Sequence, residues 1–358
     1  MSIDFHRLRV AEVKRETPDA VSVRLELPEE LRETFAFRAG QHLTFRREIG
    51  GEEVRRNYSL CVSPSEGVLK IGVKKIAGGV FSGWVNAELK AGDELEVMAP
   101  HGSFCWTFDA EARNEYVAFA GGSGITPILS LMKTALSLEP HSRFTLFYGN
   151  RNSIGVMFLE EIAALKDRYL DRLSVYHFLE EEEEEIALFN GRLDQAKAEE
   201  ILSTLVCTAH VDAFFICGPG PMMDAIEEAL VARGVEKPRI LIERFTTGPL
   251  SAAQAAAARA LEEQAAGLRM SVTLNGRRVQ VAFDPEKHSI LDNVRAAGLP
   301  APFACKGGVC ATCRAKVTSG EVQMKVNYGL SAEELAEGYV LTCQATPVSE
   351  GVALTYDA

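Results

Sequence analysis

Through roughly the first hundred residues, short runs in which apolar and polar positions alternate recur at 9–14, 21–27, 42–45, 57–62, 68–73 and 94–98, with turn-forming segments between them. A period of two marks a strand with one buried face. Strands recurring every ten residues or so predict a small antiparallel barrel or sandwich. From residue 115 the pattern changes. A compact apolar strand at 116–120 runs into a glycine-rich turn and an amphipathic helix at 127–136. Strands at 143–148, 173–179 and 213–217 then alternate with helices at 158–169, 194–204 and 221–233. That alternation predicts an α/β doubly wound domain around a parallel sheet. Beyond residue 269 the pattern is again β, with a hairpin at Leu274-Asn275-Gly276-Arg277, where Asn-Gly suits a tight primed turn.

Between the last two regions, Gly248-Pro249 precedes an alanine-rich run at 252–258. Alanine favours helix but supplies little apolar area, so 247–268 reads as a partly helical linker. The resulting division is 1–112, 113–246 and 269–358, joined by that linker. Composition adds exclusions. With 47% hydrophobic and 25% charged residues the chain can bury a core, which excludes fibrous and disordered classes. No apolar stretch approaches the roughly 20 residues of a membrane span. The first residues show no secretory pattern, so a cytoplasmic location with reduced thiols is expected. The net charge of −12 argues against a nucleic-acid partner. Residues 269–358 hold nine basic and nine acidic side chains, so the acidic excess lies wholly before them. A run of six glutamates, Glu180 to Glu185, reads as a solvated loop after a strand.

Eight cysteines are present, and four carry a pattern: Cys305, four residues, Cys310, two residues, Cys313, then 29 residues to Cys343. Four thiolates can hold zinc or an iron–sulfur cluster. Zinc modules usually pair ligands as two short knuckles, whereas three ligands on one loop with a distant fourth fit a plant-type [2Fe-2S] site. The intervening Lys306-Gly307-Gly308-Val309 lets backbone amides approach sulfide. With Ser289-Ile290-Leu291-Asp292, Gly298-Leu299-Pro300 and Thr342-Cys343, nearly all of 269–358 resembles a plant-type ferredoxin. The resemblance implies an α+β β-grasp domain carrying one electron at a time.

Two further constellations concern nucleotides. Arg56-Asn57-Tyr58-Ser59 opens a strand, and after Val73-Lys74-Lys75 comes Gly78-Gly79-Val80-Phe81-Ser82, whose glycines expose amides suited to a pyrophosphate. Gly121-Gly122-Ser123-Gly124-Ile125-Thr126-Pro127 joins a strand to a helix, where a dinucleotide pyrophosphate can meet the positive helix end. Cys217-Gly218-Pro219-Gly220 ends a later strand. Together these resemble the ferredoxin-NADP reductase superfamily. By that resemblance the first domain is an antiparallel β-barrel binding FAD. Arg56 pairs with the flavin pyrophosphate, Tyr58 packs on the isoalloxazine, Ser59 bonds near its N5, and Cys217 and Gly218 lie beside the nicotinamide. The segment Glu243-Arg244-Phe245 folds back toward the flavin. Arg151 and Ser153 follow the strand at 143–148, where an acid would select NADH and an arginine accommodates a 2′-phosphate. No acid stands in that stretch, so NADPH is expected over NADH.

Ordered along the chain, the parts form a relay from NADPH through FAD to [2Fe-2S], since a flavin can take a hydride and release electrons singly. The domain order resembles reductase components of multicomponent oxygenases over essentially the whole chain. A finer likeness, to reductase subunits of phenylacetyl-CoA ring epoxidases, rests on 15–21, 56–61, 326–330 and 338–344. It implies a diiron oxygenase as acceptor. A steroid- or alkane-type oxygenase partner, or a flavin reductase with a zinc-stabilised module, stays open at this level. A tethered, neutral ferredoxin domain fits supply from within its own chain, because tethering replaces electrostatic steering.

Overall fold

The computed structural model describes residues 4–245 and 252–358. The chain divides into two compact units, the first ending at Glu243 and the second beginning at Arg244. In the first, β1 (Phe5–Thr17), β2 (Ala20–Leu25), β3 (His42–Ile49), β4 (Glu52–Ser59), β5 (Leu69–Lys74) and β6 (Glu94–His101) form an antiparallel sheet in the order β4-β3-β6-β1-β2-β5. An antiparallel bridge from Leu60 to Ile71 joins the two edges and closes the barrel. Leu8, Val10, Val21, Val23, Leu43, Phe45, Ile71 and Val73 fill it from alternate positions. β4 starts five residues before the expected 57–62 strand, because its polar first half pairs with the end of β3 as an exposed hairpin arm. Alternating hydrophobicity cannot reveal such an arm.

The glycine-rich segment at 78–82 differs more. Helix α1 (Val80–Ala87) begins directly after Gly79 and buries Phe81, Trp84 and Val85 against the barrel. Those positions fall at helical spacing, which a loop reading overlooks.

The α/β half contains β7 (Glu115–Gly121), α2 (Ile125–Leu138), β8 (Arg143–Asn150), α3 (Leu159–Arg168), β9 (Leu173–Leu179), α4 (Gln195–Thr204), β10 (Ala213–Cys217), α5 (Gly220–Ala232) and β11 (Ile240–Glu243). Its parallel sheet runs β11-β10-β7-β8-β9, reversing direction between β7 and β10, where such folds bind nucleotides at the carboxyl ends of their strands. The predicted helices and strands are present. β11 is additional, and four residues are too few for a periodicity to declare them.

Barrel and α/β half share one core. Ala39, Cys61 and Phe104 pack with Ile125, Met157 and Phe158. Gly72 of β5 leaves room for this: a Cβ there would lie 2.8 Å from the Thr126 side chain and 3.0 Å from Met157 and Phe158. Ser130 Oγ of α2 donates to Val62 O at 2.6 Å. Around it Lys133 reaches Glu66 and Glu161, and Lys70 of β5 reaches the same Glu161 at 3.0 Å. Burial pushes the Glu161 carboxyl up, but its two lysines outweigh that and hold it below the usual carboxylate range.

The second unit contains α6 (Ala252–Gln264), β12 (Arg269–Leu274), β13 (Arg277–Ala282), α7 (Ile290–Ala296), β14 (Arg314–Ser319), β15 (Val322–Met324), α8 (Ala332–Ala336), β16 (Tyr339–Leu341), β17 (Ala345–Pro347) and β18 (Val352–Thr355). The main sheet runs β13-β12-β18-β14-β16, and β15 pairs with β17. α7 buries Ile290, Leu291 and Val294 against it. Asn275 and Gly276 both adopt positive φ, 51° and 71°, as the predicted primed turn requires.

Gly248-Pro249 and the start of the expected linker lie outside the described residues. The alanine-rich run is helical, but its far end joins the core: Ala265 is buried with Met270 and Leu291. Glu262, also buried, pairs with Lys325 and with His288 Nδ1 at 2.9 Å. Burial raises the Glu262 carboxyl, the bonds from Lys325 and His288 together lower it by more, and the net shift is downward. Stability from a depressed carboxyl is complete above its unfolded value, about 4.3, and is lost as pH falls through the folded value. Glu262→Gln is expected to remove about 1–3 kcal/mol at neutral pH and much less near pH 3. Urea unfolding of the full chain, followed by far-ultraviolet circular dichroism, checks this; an equal loss at both pH values would contradict the ion-pair account.

Candidate functional site

The flavin motifs meet through aromatic packing. Tyr58 and Phe81 lie 5.8 Å apart between ring centroids, with Phe45 5.9 Å from Tyr58. β4 places Arg56 and Tyr58 on one face and Asn57 and Ser59 on the other. Arg56 is exposed, its guanidinium donating to Arg55 O at 2.7 Å. Burial pushes the Tyr58 hydroxyl above its ordinary range, so it stays neutral. Ser82 bonds inside its own turn, accepting from Ile76 N at 3.1 Å and donating to Gly79 O at 3.3 Å. Gly79 N closes the same turn on Ile76 O at 2.9 Å. Ser82 therefore shapes the helix start, whose Val80 and Phe81 amides lack intrahelical partners by construction. Val73 is buried with its carbonyl bonded by Asn86, and Lys74 lies 3.7 Å from Asp19.

Ser59 Oγ is buried and has no hydrogen-bond partner among the described residues. A buried hydroxyl left over at the end of the flavin strand fits a flavin acceptor or donor there. Ser59 stands opposite His42 in the β3–β4 ladder. His42 Nδ1 lies 3.7 Å from Glu243 Oε1, and Glu243 is the ladder neighbour of Cys217. The fold thus links the Ser59 end of β4 and Cys217 at the end of β10 through His42 and Glu243. His42 also faces His101 at 3.1 Å and Asn57 at 3.2 Å. No motif points to these histidines, since two residues 59 apart offer no local signal. Burial, then the nearby Glu243, pushes the Cys217 thiol well up, so it is a neutral thiol and no thiolate nucleophile.

The dinucleotide turn is defined by contact. A Cβ on Gly124 would lie 2.0 Å from Cys217 O, and one on Gly218 would lie 3.0 Å from the Gly121 backbone. Gly122 adopts φ 52°, and its carbonyl accepts from Tyr148 Oη at 2.9 Å. Thr126 Oγ1 donates to Ser123 O, and Pro127 is buried in the first turn of α2. The two glycine turns interlock at the switch point and leave the α2 N-terminus facing the site, as a bound pyrophosphate requires.

At the end of β8 the absence of an acid does not survive folding. β8 and β9 are parallel neighbours, so the loops after them run side by side, and Glu181 and Glu182 lie against Arg151, Asn152 and Ser153.

The four patterned cysteines form two pairs. Cys305 and Cys310 approach each other on the loop, as Cys305 N donates toward Cys310 Sγ at 3.5 Å, and the free thiols of Cys313 and Cys343 share a hydrogen bond. β14 and β16 pair Arg314 with Leu341, which carries Cys343 back to Cys313. Thr342 Oγ1 donates to Cys313 O at 2.8 Å and Tyr356 Oη to Thr342 at 2.9 Å, locking that return. Lys306, Gly308 and Ala311 all take positive φ, turning the loop amides inward. Gly307 N donates to Cys305 Sγ at 3.3 Å. Two thiol pairs sharing a larger binuclear cluster fit this arrangement better than one tetrahedral zinc. Gln344, which the spacing does not flag, donates to Lys306 O at 2.8 Å and toward Cys343 Sγ at 3.7 Å. Phe245 is exposed at the head of the second unit.

Residues 7–106 match the oxidoreductase FAD-binding domain, 119–228 the oxidoreductase NAD-binding domain and 272–348 the 2Fe-2S iron-sulfur cluster binding domain. With the fold and the paired cysteines, these define an NAD(P)H-dependent oxidoreductase using FAD and a [2Fe-2S] cluster. The chain belongs to the family of ferredoxin-NADP reductase-type flavoprotein reductases with a C-terminal [2Fe-2S] domain. It is 43% identical to one of the subunits of 1,2-phenylacetyl-CoA epoxidase of Escherichia coli (strain K12), over 99% of this chain and 98% of that protein. It is 33% identical to the ferredoxin reductase component of 3-ketosteroid-9-alpha-monooxygenase of Rhodococcus rhodochrous, over 98% and 96%. Among solved structures, phthalate dioxygenase reductase shares the fold with a TM-score of 0.59 at 23% identity, covering 98% of both chains. An intact self-sufficient cytochrome P450 monooxygenase gives 0.71 at 22% identity, where this chain spans 41% of that protein. Among the described residues no helix is long and apolar enough to cross a membrane.

Gly124→Ala is expected to destabilise the first unit by about 2–3 kcal/mol and to weaken coenzyme binding, because its Cβ meets backbone. Denaturation and coenzyme titration of the variant check this; wild-type values in both would show that the close approach is dispensable.

Proposed function

We propose that this protein is the reductase component of a multicomponent oxygenase, drawing hydride from NAD(P)H and delivering electrons to a diiron oxygenase that acts on phenylacetyl-CoA. When bound, FAD accepts the hydride and the cluster carries electrons away one at a time. The proposed domain limits are 1–112 for flavin, 113–246 for coenzyme and 269–358 for the cluster, with 247–268 as linker. Arg56 and the helix start at Gly79, Val80 and Phe81 hold the flavin pyrophosphate. Tyr58 packs on the ring, Asn57, Val73, Lys74 and Ser82 shape its pocket, and Ser59 bonds near N5. Gly122, Gly124, Thr126 and Pro127 receive the coenzyme pyrophosphate, and Arg151 and Ser153 its adenosine ribose, where the arginine favours NADPH. Cys217 and Gly218 face the nicotinamide, and Phe245 packs toward the flavin. Cys305, Cys310, Cys313 and Cys343 ligate the cluster. The proposed location is the cytoplasm, where the four cysteines outside the cluster stay reduced.

The observation that carries the acceptor is the full-length similarity to the epoxidase component, spanning all three domains at 43% identity. The steroid monooxygenase reductase is similar over the same span at 33%, so it supplies the comparison arm. Purified phenylacetyl-CoA oxygenase should yield product in proportion to NADPH consumed when this reductase is added, with little turnover on a steroid oxygenase. Coupling to the steroid enzyme alone would refute the acceptor. Separately, Cys313→Ser should abolish reduction of one-electron acceptors through the cluster yet leave anaerobic flavin bleaching by NADPH; loss of both would contradict separate carriers.

A further inference from the structure

The glutamate run after β9 has the polarity of a solvated loop, yet in the folded chain it has partners. Glu180 N donates to Asn150 O at 3.1 Å and Glu181 N to Arg151 O at 2.8 Å, so the run continues the β8–β9 ladder past the strand ends. One Glu181 oxygen lies 3.8 Å from Arg151 Nε, and the other accepts from Asn152 Nδ2 at 3.0 Å. Glu182 Oε1 accepts from both Ser153 N, at 2.7 Å, and Ser153 Oγ, at 2.9 Å. The base of the loop is tied down by Arg192 on Glu180, at 3.0 Å, and by Asn190 on the Glu184 backbone.

We propose that Glu181 and Glu182 are the coenzyme-discriminating pair of this reductase, their carboxylates occupying the donors of Arg151 and Ser153 that a 2′-phosphate would use. The inference rests on the reading that 149–153 faces the adenosine ribose. The two coenzymes differ there only by a phosphate carrying about −1.5 to −2 charge. That phosphate and the Glu182 carboxylate cannot both accept from one amide and one hydroxyl, and like charges in contact repel. NADPH therefore displaces the pair to gain Arg151 and Ser153. NADH brings a 2′-hydroxyl, a donor that a carboxylate can accept, and binds with the loop in place. The preference for NADPH expected from Arg151 is thus opposed by acids lying beside it in space and about 30 residues away in sequence. Because these contacts are exposed, each is individually weak and screened by salt.

The test uses the flavin- and cluster-loaded full chain at low ionic strength. Binding of adenosine 2′,5′-bisphosphate and of adenosine 5′-monophosphate is titrated, and flavin reduction is followed against NADPH and NADH concentration. The double variant Glu181→Gln, Glu182→Gln should bind the bisphosphate and NADPH about fivefold to tenfold more tightly, with a much smaller shift for the monophosphate and NADH. The advantage should shrink on adding salt. The variant Glu183→Gln, Glu185→Gln removes equal charge from the same loop and should not reproduce the effect. An unchanged NADPH-to-NADH ratio in the first variant, or an equal gain in the second, overturns the proposal. If neither coenzyme reduces the flavin of the unaltered protein, the underlying reading fails and the inference with it.

Discussion

Hydride transfer requires two ring systems in contact, and here they are held by different structural halves, so the docking of the barrel on the α/β half is the constraint on which the flavin–nicotinamide chemistry depends. The half-buried Glu161 carboxylate sits at that junction between the buried Lys133 of α2 and Lys70 of β5. A buried ion pair contributes little net stability, since desolvation offsets attraction, but it penalises any other alignment that would leave a charge unpaired. The surrounding apolar core supplies the binding free energy, and Ser130, Lys133 and Glu161 supply the register. Ser59 and Cys217 are linked through His42 and Glu243 because that register is held.

The cluster domain meets a related demand differently. A loop with Lys306 and Ala311 in left-handed backbone conformations is unfavourable in isolation, because non-glycine residues rarely adopt them. It persists where the surroundings hold it: Lys306 pairs with Asp292 of α7 at 2.6 Å, Gln344 bonds its carbonyl, and Tyr328 N donates to Gly308 O at 3.0 Å. The return of Cys343 to that loop depends on sheet pairing, since it requires β16 to be in register with β14. The glutamate run shows the converse case, in which segments of no evident chemistry acquire partners because two parallel strands end together.

Much of this protein was legible in one dimension wherever the chemistry is local. The spacing of Cys305, Cys310 and Cys313, the strand–glycine–helix passage at 116–136 and the Asn275-Gly276 turn each impose their geometry within a few residues. The strand–helix alternation of the doubly wound half followed for the same reason, since each long strand and helix declares its own period. Helix α1 was hidden by the glycines before it, the polar arm of β4 by the lack of a buried face, and β11 by its length.

What the sequence by itself determined is therefore the set of cofactors and the order of the domains, because binding motifs are short and backbone-driven. Only the tertiary structure decided how distant residues combine: His42 with His101 and Glu243, Glu262 with Lys325, Gln344 with the cluster loop, and Glu181 and Glu182 with Arg151 and Ser153. The physical reason is the same in each case. Charge and hydrogen bonding act over a few ångströms of space, and the strand register that sets those ångströms is a property of the folded sheet.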